Sequence, residues 1–106
     1  MIQAEFLMAE GGAAAGFHIT GHAGGEAGTD IVCAAVSSAA YLVANTVTEV
    51  MGLRPRELRA EDGDMLLELA SGDRQKCREL LLGLRLHLEG LMQQYPDSVR
   101  VTGTDI

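Results

Sequence analysis

Residues 21–52 read GHAGGEAGTDIVCAAVSSAAYLVANTVTEVMG, a glycine-rich stretch running straight into a long uncharged one. Gly21-His22-Ala23-Gly24-Gly25-Glu26-Ala27-Gly28-Thr29 is too rich in glycine for a helix or strand, which predicts a loop. Asp30 follows as a helix N-cap residue, and positions 31–51 read as one helix closed by Gly52. Positions 31–48 carry no charge, but Ser37, Ser38, Asn45, Thr46 and Thr48 interrupt the run. A membrane span needs about 20 predominantly apolar residues. The expectation is a core helix of a water-soluble fold with no membrane partner.

On the N-terminal side, Ile2, Ala4, Phe6 and Met8 alternate with Gln3, Glu5 and Leu7, the period of a strand. Glu10-Gly11-Gly12-Ala13 is a turn, and residues 16–20 form the returning strand. On the C-terminal side, residues 56–60 and 65–69 read as two strands joined at Asp62-Gly63, a hairpin signal. Ser71 or Asp73 then caps a second helix that runs to about residue 94 and stops at Pro96. Val99 and Val101 mark a last strand over residues 98–103. The order ββαββαβ predicts an α+β fold, a mostly antiparallel sheet with two helices packed on it, in one domain over residues 1–106.

Composition narrows the functional classes. The chain has 106 residues, 15 acidic and 8 basic, for a formal charge of −7. Nucleic-acid binding calls for a basic face, and the basic residues here are scattered or beside acids, so no nucleic-acid partner is expected. Such a chain attracts basic partners instead. The segment from Met1 to Met8 has no basic region and includes Glu5, so it does not read as a secretory signal. Two cysteines, Cys33 and Cys77, are expected as free thiols in a reducing, cytoplasmic setting.

The residues with chemical promise lie between His22 and Ser37. With Asp30 as the cap, Cys33 is the third residue of its helix, where unpaired N–H groups and the helix dipole favour an anion. The thiolate is the nucleophilic form of cysteine. The glycine loop can fold His22 back toward it, giving a thiol and an imidazole able to act as general base and then general acid. The plainer alternative is a small core cysteine beside a surface histidine. Cys77 falls on the apolar face of the second helix with no histidine near and reads as structural. A phosphate loop is disfavoured, because no Gly-Lys-Ser/Thr follows and Glu26 occupies the loop. Metal binding by His18, His22 and Cys33 lacks any helical or Cys-x-x-Cys spacing, so no metal or cofactor is expected. Leu82 and Leu86, one turn apart among Gln75, Glu79, Glu89 and Gln93, suggest a surface for self-association.

Gly21-His22-Ala23, the glycine loop, and then Gly28-Thr29-Asp30-Ile31-Val32-Cys33-Ala34-Ala35-Val36-Ser37 resemble the signature of the ribosomal-processing cysteine protease (Prp) family. Length and element order fit as well. The resemblance implies that Cys33 is the nucleophile and His22 its acid–base partner, and that the protein is a homodimer. It further implies that the substrate is the precursor of the twenty-seventh large-subunit ribosomal protein, which loses a short N-terminal extension. Gly21, Gly24, Gly25 and Gly28 would then form a movable loop over the peptide. Asp30 has two readings, helix cap or orienter of the His22 imidazole. An acidic, non-catalytic module docking on a basic ribosomal protein is the alternative of another class.

Overall fold

In a computed structural model that describes residues 1–23 and 29–106, five strands form one sheet: β1 (Ile2–Met8), β2 (Ala14–Thr20), β3 (Glu57–Glu61), β4 (Asp64–Glu68) and β5 (Val99–Asp105). Their order is β3-β4-β2-β1-β5. The β1–β2, β2–β4 and β3–β4 pairs are antiparallel, and only β1–β5 is parallel. Helices α1 (Thr29–Asn45) and α2 (Arg78–Gln94) complete the expected α+β order.

The strand alternation decides which face of the sheet is covered. Ile2, Ala4 and Phe6 of β1, Phe17 and Ile19 of β2, Met65 and Leu67 of β4 and Val99 of β5 join one core cluster. From α1 and the turn after it, Val32, Val36, Ala40, Val43, Ala44 and Val47 enter that cluster, and from α2, Leu81, Leu84 and Leu88. Burying each of the larger of these, the Val, Leu, Ile, Met and Phe side chains, stabilises by about 1.5–3 kcal/mol. Ile31–Val50 is long and apolar enough to cross a membrane, yet the six α1-side residues just named lie inside the protein core.

The helix ends depart from expectation in informative ways. After Asn45, α1 widens into a π turn over Thr46–Val50, in which the Met51 N–H reaches the Thr46 carbonyl at 2.8 Å. Thr46 and Thr48 each turn their hydroxyls back on the carbonyls of Leu42 and Ala44, a bond that competes with the regular ladder. Gly52, at φ +68°, then closes the segment as expected. Neither Ser71 nor Asp73 caps α2. Two short 3₁₀ turns, Ser71–Asp73 and Gln75–Cys77, precede it, and the Asp73 carboxylate holds Lys76 at 3.2 Å instead. Cys77 therefore lies at the start of α2, at φ −102° and ψ 6°, and not in its middle. That backbone break turns its side chain into the core.

Candidate active site

β2 ends at Thr20, and the chain turns sharply at Gly21, whose φ is +91°. A Cβ there would collide with the carbonyl oxygen of Met1. The Gly21 N–H donates to the Gly63 carbonyl at 3.0 Å. Gly21 was expected to belong to the movable loop; it is instead an anchor, held by the hairpin between β3 and β4. Gly24, Gly25 and Gly28 lie outside the described residues. The anchor delivers His22, exposed, and Ala23, buried, at the lip of a cleft.

α1 supplies the thiol. The helix begins at Thr29, so Asp30 is its second residue and not the N-cap, while the cap position falls outside the described residues. Cys33 is accordingly the fifth helical residue, at the start of the second turn, still close to the positive end of the helix dipole. Its side chain is half-buried, and its Sγ accepts a hydrogen bond from the Ala23 N–H at 3.1 Å. An amide donor aimed at sulfur stabilises negative charge on it. The same contact ties the residue after His22 to the cysteine, so the two segments meet without a direct bond between the two side chains among the described hydrogen bonds.

His22 and Cys33 line one cleft of about 250 Å³. Its apolar wall comes from Ile2, Ile19, Val36, Tyr41 and Met65, and its acidic wall from Glu61, Asp62 and Asp64 around Gly63. That acidic turn reads in the sequence as a solvated loop tip. Tertiary structure instead makes it one side of the site, because β4 pairs with β2 and brings the tip beside Gly21. The only sequence signal was Asp62-Gly63, which foretells a turn but not its neighbour. Ser37 also lines the cleft, exposed on the next turn of α1.

Asp64 is the best-anchored carboxylate of that turn. It accepts from Arg59 Nε at 2.8 Å and pairs with His18 Nε2 at 2.7 Å. The Arg59 hydrogen bond, and then that of His18, hold the Asp64 carboxyl below its ordinary range. His18 Nε2 is thus paired with Asp64 at the base of the hairpin.

Comparison with known proteins assigns the family. The profile of the family described as cysteine protease Prp matches residues 1–100. A Bacillus subtilis (strain 168) protein named ribosomal processing cysteine protease Prp is 33% identical over 108 aligned positions, covering 96% of this chain and 96% of that one. A Streptococcus mutans protein of known crystal structure superposes with a TM-score of 0.83 at 29% identity, covering 100% of this chain and 99% of the other. The Prp protease of S. aureus, crystallised with a substrate peptide, shares the fold at a TM-score of 0.86 and 21% identity, over 98% of this chain and 100% of that one. Matched along almost its whole length, the chain belongs to the cysteine protease Prp family, and it is a hydrolase of the thiol type.

Proposed function

We propose that this protein is the cytoplasmic endopeptidase that removes the N-terminal extension of the twenty-seventh large-subunit ribosomal protein, with Cys33 as nucleophile and His22 as acid–base partner. The observation that carries the reading is the Ala23 N–H bond to Cys33 Sγ, which joins the His22 segment to the thiol in one cleft. The ribosomal processing role in the B. subtilis relative's name supports the substrate. A chain of charge −7 with an acidic wall beside the thiol suits a basic protein as substrate.

In this mechanism the imidazole of His22 takes the proton of Cys33, and the sulfur attacks the scissile carbonyl carbon. The amides at the start of α1 offer N–H donors for the charge that develops on the carbonyl oxygen. Collapse of the tetrahedral species breaks the C–N bond, and His22 gives its proton to the departing amine. Water, deprotonated by the same imidazole, then cleaves the thioester and restores the thiol. The residues complete this cycle without a cofactor. The proposal includes a homodimer formed through Leu82 and Leu86, both exposed on α2.

The test is cleavage of a peptide spanning the end of the extension. Cys33→Ala should reduce cleavage to background, and His22→Ala should lower it by about 10²–10⁴-fold, the usual contribution of a general base. Both variants should melt close to the unaltered protein. Undiminished cleavage by Cys33→Ala would overturn the assignment.

A further inference from the structure

The imidazole of His22 lies over Gly63. A Cβ built on Gly63 would stand 2.8 Å from His22 Nε2, 3.3 Å from Cε1 and 3.5 Å from Cδ2. A side chain at this place therefore requires the ring or the turn beneath it to shift. The turn that carries Gly63 is also held on two sides. Its carbonyl accepts the Gly21 N–H at 3.0 Å, immediately before His22. The next residue, Asp64, is fastened to Arg59 at 2.8 Å and to His18 at 2.7 Å. Gly63 thus both accepts the hydrogen bond that holds the backbone leading into His22 and lies under its ring.

We propose that Gly63 is a positioning residue of the site: its missing side chain leaves the space occupied by the His22 imidazole and so sets where that ring stands relative to Cys33. The proposal rests on the reading that His22 and Cys33 are the catalytic pair. It assigns the β3–β4 hairpin a part in the reaction, though no atom of Gly63 reacts.

Gly63 also has φ +74°, which an L side chain rarely adopts, so a substitution strains the backbone as well as moving the ring. Gly52 separates the two effects. Its φ is +68°, with nothing within 4 Å of a built Cβ, so Gly52→Ala brings comparable strain and no contact with His22. Gly63→Asn is the milder companion to Gly63→Ala, because asparagine tolerates this conformation while still carrying a Cβ.

The experiment measures kcat, KM and the pH profile of kcat/KM on the extension peptide for the full chain and for Gly63→Ala, Gly63→Asn, Gly52→Ala and His22→Ala, with thermal melts of each. Both Gly63 variants should lose roughly 10²-fold, carried by kcat, since misplacing a reacting group by about 1 Å has that effect. Their pH profiles should also move from that of the unaltered protein toward that of His22→Ala. Gly52→Ala should keep the normal rate and profile despite a lowered melting temperature. If Gly63→Ala does not fold, Gly63→Asn decides. A Gly63→Asn protein with normal kcat and pH profile overturns the proposal while an inactive His22→Ala leaves the catalytic pair standing. Equal losses in Gly52→Ala and Gly63→Ala overturn it as well, because strain alone would then account for the effect. A fully active His22→Ala overturns the pair and this proposal together.

Discussion

Two thiols in one small chain differ in exposure and in the groups that face them. Cys77 is fully buried at the head of α2; burial pushes its thiol up, and the nearby Asp73 charge adds to the effect. It stays protonated and enclosed near neutral pH. Cys33 opens onto a cleft and faces an amide donor. Iodoacetamide at neutral pH should therefore modify one residue per folded chain, Cys33 by peptide mass spectrometry, and both in urea. Labelling of Cys77 in the folded protein would contradict this account. The succession of strand end, His22, loop and Cys33 helix was legible in the sequence because it is local. Gly63 was not, because its importance comes from a ring supplied by another part of the chain. Asp30 shows the converse limit. A good capping residue marks where a helix begins only to within a residue or two, and α1 starts at Thr29, two residues before the expected first helical residue.

At the scale of elements, the β3–β4 hairpin is held by charge as well as by its ladder. Arg59 and His18 lower the Asp64 pKa, so the carboxylate contributes stability at pH values above the unfolded-state carboxyl value of about 3.9, and that contribution is lost as pH falls through the depressed folded value. Asp64→Asn should consequently lower the urea midpoint at pH 7, and the difference from the unaltered protein should shrink on acidification below about pH 4. An equal difference at pH 7 and pH 3 would count against the ion pairs as its source. The strands themselves follow from alternation and turn chemistry, and each expected strand lies within two residues of an observed one. The entry to α2 does not follow from such signals. Ser71 and Asp73 are good capping residues, but Asp73 bonds Lys76, and α2 starts only after buried Cys77, whose dihedrals are not helical. Packing outweighed a capping preference of only about 1 kcal/mol.

The whole molecule is a sheet with one covered face and a helical surface that is only partly polar. Leu86 is 72% exposed and Leu82 47%, and on α1 Leu42 is 67% exposed. Beside Leu42 an apolar groove runs between the helices, lined by Ala39, Val43, Leu80 and Leu84 among others. Small residues facing one another, Ala35 and Ala39 on α1 and Gly83 on α2, line this groove. If the exposed leucines of α2 join two copies, replacing Leu82 and Leu86 together by glutamate should convert a dimer to a monomer in sedimentation velocity at micromolar concentration, with the melting transition retained. A monomeric unaltered protein under the same conditions would remove the dimer from the proposal.

Local pattern was sufficient for the strands, the two long helices, their order and the net acidic charge. Those properties depend on period, turn residues and charge, all of which act over a few neighbouring positions. Strand order, the parallel β1–β5 pair, the anchoring of Gly21 and the meeting of Gly63 with His22 required the folded chain. Each depends on which distant segments share hydrogen bonds and space, and loop tips with the same letters can face water or form the wall of a site.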